Sequence, residues 1–334
     1  MSRRKNQKNQ KLFATLITFI FLFILVYFSN GTYQNAQLKN KISTDNSVEN
    51  SILNNEITYK TNAKVEDTIN INNDKLNIIF LYVGQADCTF IKLNDKSMLI
   101  DAGNNEDGKN IVSYLQSLEI NKINYVIGTH ADEDHIGGLD DIINNIEVEK
   151  VYMPQKGKDE TNYKNVVKSA SNKNINIETP NINDEFNIEK AKCKVMSVMN
   201  YEGINDNNSS IVLQLSYENT KYLFMGDAEK EVENSRKWDK VDVLKVGHHG
   251  SNTGSTADFL NQVAPHYAII EVGNNNKYKL PNSKAISRIE SVGATILRTD
   301  TNCSSFMISS DGKEIEEKEI NINLDGNKKI LLIK

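Results

Sequence analysis

The chain has 334 residues, 39 % of them hydrophobic, with 44 acidic against 39 basic side chains and a formal net charge of -5. That is length for one large domain or two small ones with a core of their own, and the acidic balance excludes a protein that coats nucleic acid through a basic surface. Three cysteines, Cys88, Cys193 and Cys303, exclude a disulfide framework and a thiolate metal cluster.

Residues 1–11 carry Arg3, Arg4, Lys5, Lys8 and Lys11 and no acid, and 12–28 hold no charge at all. Basic residues ahead of an apolar run of that length predict a membrane anchor with a cytoplasmic N-terminus and everything after it outside the cell. A cleaved signal peptide is the alternative, which would leave the protein secreted, although the stretch after Phe28 lacks a small-x-small processing site. Residues 29–74 are rich in Asn, Lys, Thr and Ser without a sustained period. They predict a flexible tether with a short strand near 56–60.

A folded domain is predicted over 75–312. Strands at 76–83, 88–93 and 97–103 are separated by turn residues and read as a meander. Ile111, Tyr114, Leu115 and Leu118 stand at helical spacing within 108–118. A strand at 123–128, a helix at 139–145, a strand at 148–153 and a helix at 162–171 follow. Short strands at 175–179 and 193–199 lead to a hairpin, 209–217 with 221–225. The order then alternates: strand 241–246, helix 256–263, strand 267–272, helix 283–291, and strands 295–298 and 304–309. Two half-sheets with flanking helices are implied, an α/β fold. Residues 313–334 read as a C-terminal strand or tail.

Three predicted strand ends carry ligand chemistry. The strand at 123–128 delivers His130, Asp132, Glu133, Asp134 and His135 within six positions; Asp227 follows the hairpin through Gly226; His248 and His249 lie between Gly247 and Gly250 after 241–246. Acids in one loop are ordinarily solvated, and a lone histidine is ordinarily packed. Their recurrence at strand ends beside glycines points instead to divalent metal, and the mixture of imidazole and carboxylate favours zinc, manganese or iron over calcium. Two ions about 3.5–4 Å apart would use the whole set with one bridging carboxylate, and would suit hydrolysis. Glu133 is expected either to face solvent or to support the ligands from behind.

His130-Ala131-Asp132-Glu133-Asp134-His135, Phe224-Met225-Gly226-Asp227 and Gly247-His248-His249-Gly250-Ser251, with Val83-Gly84-Gln85-Ala86-Asp87 before them and Arg298-Thr299-Asp300 after, resemble the metallo-beta-lactamase superfamily. Within it they are similar to the competence-type branch, the extracellular hydrolase domain of the large DNA-uptake channel protein. The resemblance implies an αββα sandwich and a dinuclear site. His130 and Asp132 would hold the first ion; Asp134, His135 and His248 the second; Asp227 would bridge. A further first-ion histidine, usual in the superfamily, has no counterpart between His135 and His248, where Asn207, Asn208 and Ser209 stand. Asn208 is then the remaining candidate ligand, and the first ion is expected to be the weaker. Tyr82, Ala86 and Leu280 depart from the family pattern, the last within Tyr278-Lys279-Leu280-Pro281. Leu280 stands where the resemblance implies the histidine of a Tyr-Gly-His-Pro segment; in its absence, His249 is a candidate for proton transfer and Lys279 for contact with a phosphate.

The function expected is hydrolysis of a phosphodiester, with nucleic acid as the expected substrate, outside the membrane, with Asp134 or Asp227 orienting the attacking water. Hydrolysis of a small ester or of cell-wall phosphocholine, and a non-catalytic metal-binding surface module, are the alternatives.

Overall fold

The computed structural model describes residues 71–155, 161–199, 205–322 and 324, together with the backbone of Thr58–Glu66. The basic flank at 1–11, the anchor at 12–28 and most of the tether lie outside the described residues. Among the described residues no helix is long and apolar enough to cross a membrane.

Two sheets face each other. The first takes up β1 (Thr58–Glu66), β2 (Leu76–Phe80), β3 (Thr89–Leu93), β4 (Lys96–Ile100), β5 (Lys122–Ile127), β6 (Glu147–Tyr152) and β7 (Ile177–Glu178). The second takes β8 (Glu185–Ile188), β9 (Ala191–Ser197), β10 (Val212–Tyr217), β11 (Thr220–Phe224), β12 (Val243–Lys245), β13 (Tyr267–Ile270) and β14 (Thr295–Arg298). The chain then returns to the first with β15 (Ser305–Ser310) and β16 (Glu314–Ile320), giving the order β1-β16-β15-β2-β3-β4-β5-β6-β7 against β14-β13-β12-β11-β10-β9-β8. The predicted meander is β2 to β4. β4, β5 and β6 run parallel, as do β11, β12, β13 and β14.

Three apolar layers hold this arrangement. Between the sheets, Ile78, Phe80, Ile91 and Met98 of the first meet Cys193, Leu213, Phe224 and Tyr267 of the second; Phe80 and Phe224 stack with ring centroids 6.4 Å apart. Outside the first sheet lie α1 (Gly108–Ser117), α2 (Glu133–Ile136), α3 (Leu139–Asn145) and α4 (Thr161–Asn172), which bury Ile111, Ile136, Ile142 and Val166. Outside the second lie α5 (Lys230–Glu233), α6 (Ala257–Val263) and α7 (Ser283–Ser291), which bury Val232, Phe259 and Ile289. Every residue of β2 is buried, as expected of a central strand covered on both faces. The result is an αββα sandwich.

β1 overlaps the short strand expected near 56–60 in the tether, and β16 lies within 313–334, where the sequence predicts a strand or a tail. β1 pairs parallel to β16 within 29–74, and β16 itself lies beyond 312, between β1 and β15. Ile315 packs between the sheets whereas Ile320 packs against the outer helices. The two apolar residues of β16 thus serve opposite faces, so its charged sequence shows no single apolar stripe. β8 is new; with one of its four residues buried, it carries little periodic signal.

The sandwich sets one edge for chemistry. β4 ends before Asp101, β5 before the Thr129–His135 loop, β11 before Asp227, β12 before His248 and His249, and β13 before Glu271. All five are members of parallel pairs, and side chains from both sheets converge beyond their C-terminal ends, where open α/β sheets place ligands.

Candidate metal centre

The loop after β5 is pinned from below by Asp101. Thr129 donates to that carboxylate from its backbone N–H at 2.8 Å and from Oγ1 at 2.7 Å. Asp101 also lies 2.9 Å from His135 Nδ1. A carboxylate on Nδ1 keeps the proton there and leaves Nε2 as the free lone pair, the arrangement typical of metal-ligating imidazoles. The chain from Glu133 turns into α2, so Asp134 and His135 face the opening between the sheets while Glu133 is exposed.

The second sheet brings Asp227 and His249. Asp227 donates its backbone N–H to Ser210 Oγ at 3.1 Å, and its Oδ1 lies 3.3 Å from His135 Nε2. Gly226 makes this approach with φ +54°; a Cβ there would stand 2.9 Å from Thr129 Cβ and 3.0 Å from Ser210 Oγ. Gly226→Ala is therefore expected to destabilise the fold by about 1–3 kcal/mol through a left-handed backbone and a forced contact, read as a lower urea midpoint with an unchanged m-value.

His249 directs Nε2 to within 3.2 Å of Asp134 Oδ2 and 3.7 Å of Asp227 Oδ2, while its Nδ1 lies 2.9 Å from the Glu271 carbonyl. His248, 27 % exposed, turns Nδ1 to Glu229 Oε1 at 2.9 Å; its Nε2 is 3.9 Å from Asp227 Oδ2. Both histidines hold positive φ, 50° and 49°. The side chains of neighbouring residues in such a turn diverge, and here it is His249 that enters the cluster.

Among the described residues four sets of groups bring ligand atoms within 4.8 Å of one another: His130, His135 and Asp227; Asp134, His135 and His249; Asp87, Asp101 and His135; and Asp87, Asp227 and His249. Among the described residues, seven buried side-chain polar atoms have no hydrogen-bond partner, and four of them lie in or beside this cluster: His130 Nε2, His135 Nε2, Asp227 Oδ1 and Asp87 Oδ1. Orphaned buried donors and acceptors of this kind call for an ion or water, and three of these four atoms belong to the set of His130, His135 and Asp227. The residues present therefore fit a centre of divalent cations.

Electrostatics agree. Burial pushes the imidazoles of His135 and His249 down, but Asp227 above all, with Asp101 or Asp87 behind it, outweighs burial and holds both well above their ordinary value. Burial pushes the carboxyls of Asp134 and Asp227 up, yet the charge of His135, with His249, holds both below the carboxylate range. Without metal the cluster therefore keeps protons on the imidazoles at neutral pH, and a cation must displace them. Metal binding is expected to release protons at pH 7 and to tighten as pH rises, until His135 and His249 have lost their protons in the metal-free protein. Calorimetric titration with Zn2+ in buffers of different ionisation enthalpy measures this; an affinity independent of pH between 6 and 8 would contradict it.

The other sequence candidates are placed as follows. Asp132 is 41 % exposed on its side chain, with Oδ2 3.6 Å from His130 Nε2. Asn208 is buried, but its Oδ1 accepts from Glu229 N and its Nδ2 donates to Glu231, so both polar atoms are engaged outside the cluster. Lys279 is exposed, while Lys277 and Tyr278 line an open cleft of about 470 Å3 that also touches Gln85, Asn104 and Asp134. Leu280 packs against the apolar layer outside the second sheet. The buried residues Asp87, Asp101, Lys245 and Glu271 were not among the sequence candidates. A signal existed for each: Asp87 ends the Val83–Asp87 motif, Asp101 follows the apolar strand Met98-Leu99-Ile100 two residues before Gly103, and Lys245 and Glu271 are charges set between apolar neighbours.

Residues 81–273 match the profile of the Metallo-beta-lactamase superfamily, and the chain belongs to that superfamily. It is similar to ComE operon protein 3 of Bacillus subtilis, 32 % identical over 198 residues that make up 58 % of this chain and 26 % of the relative. Recombination protein 2 of Haemophilus influenzae is 29 % identical over 226 residues, 66 % of this chain and 27 % of the relative. The chain thus spans little more than a quarter of the length of these relatives. Among solved structures, the metallo-beta-lactamase fold protein YhfI from Bacillus subtilis is alike with a TM-score of 0.50, covering 70 % of this chain and 100 % of that one at 9 % identity; the likeness is one of fold.

Proposed function

We propose that this chain is a metal-dependent phosphodiesterase, with nucleic acid as the favoured substrate, held at the outer face of a cell membrane by residues 12–28. The observation that carries the reading is the convergence of His130, Asp134, His135, Asp227 and His249 on one another, with Asp227 reaching both His135 and His249. Two adjacent divalent cations, zinc or manganese, would supply Lewis-acid activation of water and offset the charge of a phosphoryl group. Asp134, His135 and His249 would hold one cation, His130 and Asp132 the other, and Asp227 would stand between them. The second of these sites would be the weaker, because Asp132 is half open to solvent and Asn208 is occupied elsewhere.

The chain's own groups then act on the substrate. Asp134, at the junction of the cluster and the cleft, would orient water toward phosphorus, and Lys277 on the cleft's rim would meet an anionic substrate as a point charge. The naming of one relative for recombination supports nucleic acid as the polymer involved.

Turnover of bis-p-nitrophenyl phosphate and of single-stranded DNA by the full chain with Mn2+ or Zn2+ tests the reading. Activity lost on chelation and restored by metal is expected; a protein inert on both substrates with either ion ends the phosphodiester assignment. For placement, protease added to intact cells should remove residues 75–312, and their protection would contradict an outside domain.

A further inference from the structure

Beneath the candidate cation sites lies a buried ion pair that the proposed chemistry does not use. Lys245, the last residue of β12, is 3 % exposed, and its Nζ contacts Asp87 Oδ2 and donates to the Val246 carbonyl at 3.1 Å. An ammonium so enclosed is costly unless a carboxylate answers it, and a carboxylate there is equally costly alone. The pair is joined to the cluster on every side. Asp87 Oδ1 lies 3.2 Å from His249 Nδ1, and Oδ2 lies 3.8 Å from His135 Nδ1. The backbone N–H of Asp87 donates to the Asp134 carbonyl at 3.1 Å, and its own carbonyl accepts from Gly103 at 2.9 Å.

Asp87 therefore touches, through side chain or backbone, each of Asp134, His135 and His249. It could serve in two ways. Its oxygen falls within 4.8 Å of ligand atoms of Asp227 and His249, the spacing of a direct ligand. Yet its contact with His249 is to Nδ1, the nitrogen that also meets the Glu271 carbonyl, and not to Nε2, which faces Asp134 and Asp227. Lys245 occupies the remaining oxygen from below, where a cation would otherwise have to sit.

We propose that Asp87 and Lys245 form a positioning pair: Lys245 is a built-in cation that anchors Asp87, and Asp87 sets a fixed negative charge behind the two imidazoles, whose Nδ1 atoms are held by Asp101 and the Glu271 carbonyl, so that their Nε2 atoms stay turned to the cation held with Asp134. Neither residue binds the metal. The inference rests on the dinuclear reading of the site and is independent of the substrate.

Co2+ is the probe, because its visible absorption reports ligand number and geometry. Lys245→Met is expected to weaken Co2+ binding at the tighter site by ~10- to 100-fold and to alter the intensity of its visible bands. Asp87→Asn, which keeps shape and an acceptor oxygen, is expected to bind the same number of ions as the parent at saturating Co2+, more weakly. Loss of one equivalent of Co2+ in Asp87→Asn would make Asp87 a ligand and overturn the proposal. Unchanged affinity and spectrum in Lys245→Met would overturn it as well. Should Lys245→Met fail to fold, the double variant Asp87→Asn/Lys245→Met removes both charges together. Its affinity should fall no further than that of Asp87→Asn, since the two residues act as one unit; an additional tenfold loss would refute the pairing. Turnover does not enter these readouts, so a protein inert on phosphodiesters that still shows the shifts leaves the pair standing.

Discussion

Asp227→Ala is expected to lower metal-stimulated turnover by on the order of 10^2- to 10^3-fold, the scale seen when one preorganised electrostatic group is taken from an active site. Asp227 is buried, lies 3.3 Å from His135 Nε2 and 3.7 Å from His249 Nε2, and is anchored by its own backbone to Ser210. Alanine keeps that backbone bond and deletes only the carboxylate, so the fold should persist while metal content falls by at least one ion per chain. In the metal-free protein the same change should let His135 and His249 descend toward the ordinary imidazole range, because Asp227 is the largest of the charges that raise them. Imidazole resonances followed by NMR against pH would show this. Two ions retained with undiminished turnover would remove Asp227 from the centre.

His249→Ala and His248→Ala should separate sharply although the residues are neighbours. The first removes an imidazole that lies 3.2 Å from Asp134 Oδ2 and whose Nδ1 meets the Glu271 carbonyl; the ion held with Asp134 and His135 should be lost, with a drop in turnover comparable to that of Asp227→Ala. The second removes a side chain turned toward Glu229 and Thr253, so both ions should stay. Metal analysis of the two variants, side by side, decides the matter. An ion lost from His248→Ala and kept in His249→Ala would restore the assignment that the sequence alone suggests. The strained backbone sharpens the contrast. Two consecutive left-handed residues cost roughly 1–2 kcal/mol each, and the bonds His249 makes on both ring nitrogens hold the turn in that state.

Much of the site was legible because ligand chemistry interrupts apolar strands. His130 to His135 follows β5, Asp227 follows β11, and the histidine pair follows β12; a run of buried strand ending in acids and imidazoles is hard to explain by solvation. The helices at 108–118, 139–145 and 283–291 were legible for the complementary reason, that one face of each is apolar. At 313–334 the sequence leaves strand and tail as alternatives, since the two isoleucines of β16 serve opposite faces of the sheet. Asn208 was a reasonable candidate by position in the chain, but the structure commits its oxygen to Glu229 and its nitrogen to Glu231. Lys279 and Lys277 are two residues apart in a loop without periodicity, and only the path of that loop places Lys277 on the cleft.

By itself, then, the amino-acid sequence determined the order of the long strands and helices, the two half-sheets and the clustering of metal-ligand residue types at three strand ends, because each depends on local periodicity or on the chemistry of residue types. The tertiary structure alone decided which of His248 and His249 turns inward, and that Asp87 and Lys245 lie beneath the cluster. Those outcomes depend on side-chain direction at positive φ and on contacts between β-strands far apart in the chain. Neither leaves a period in the sequence. The Thr129–His135 loop holds only part of the centre; the other sheet supplies Asp227 and His249 across the sandwich.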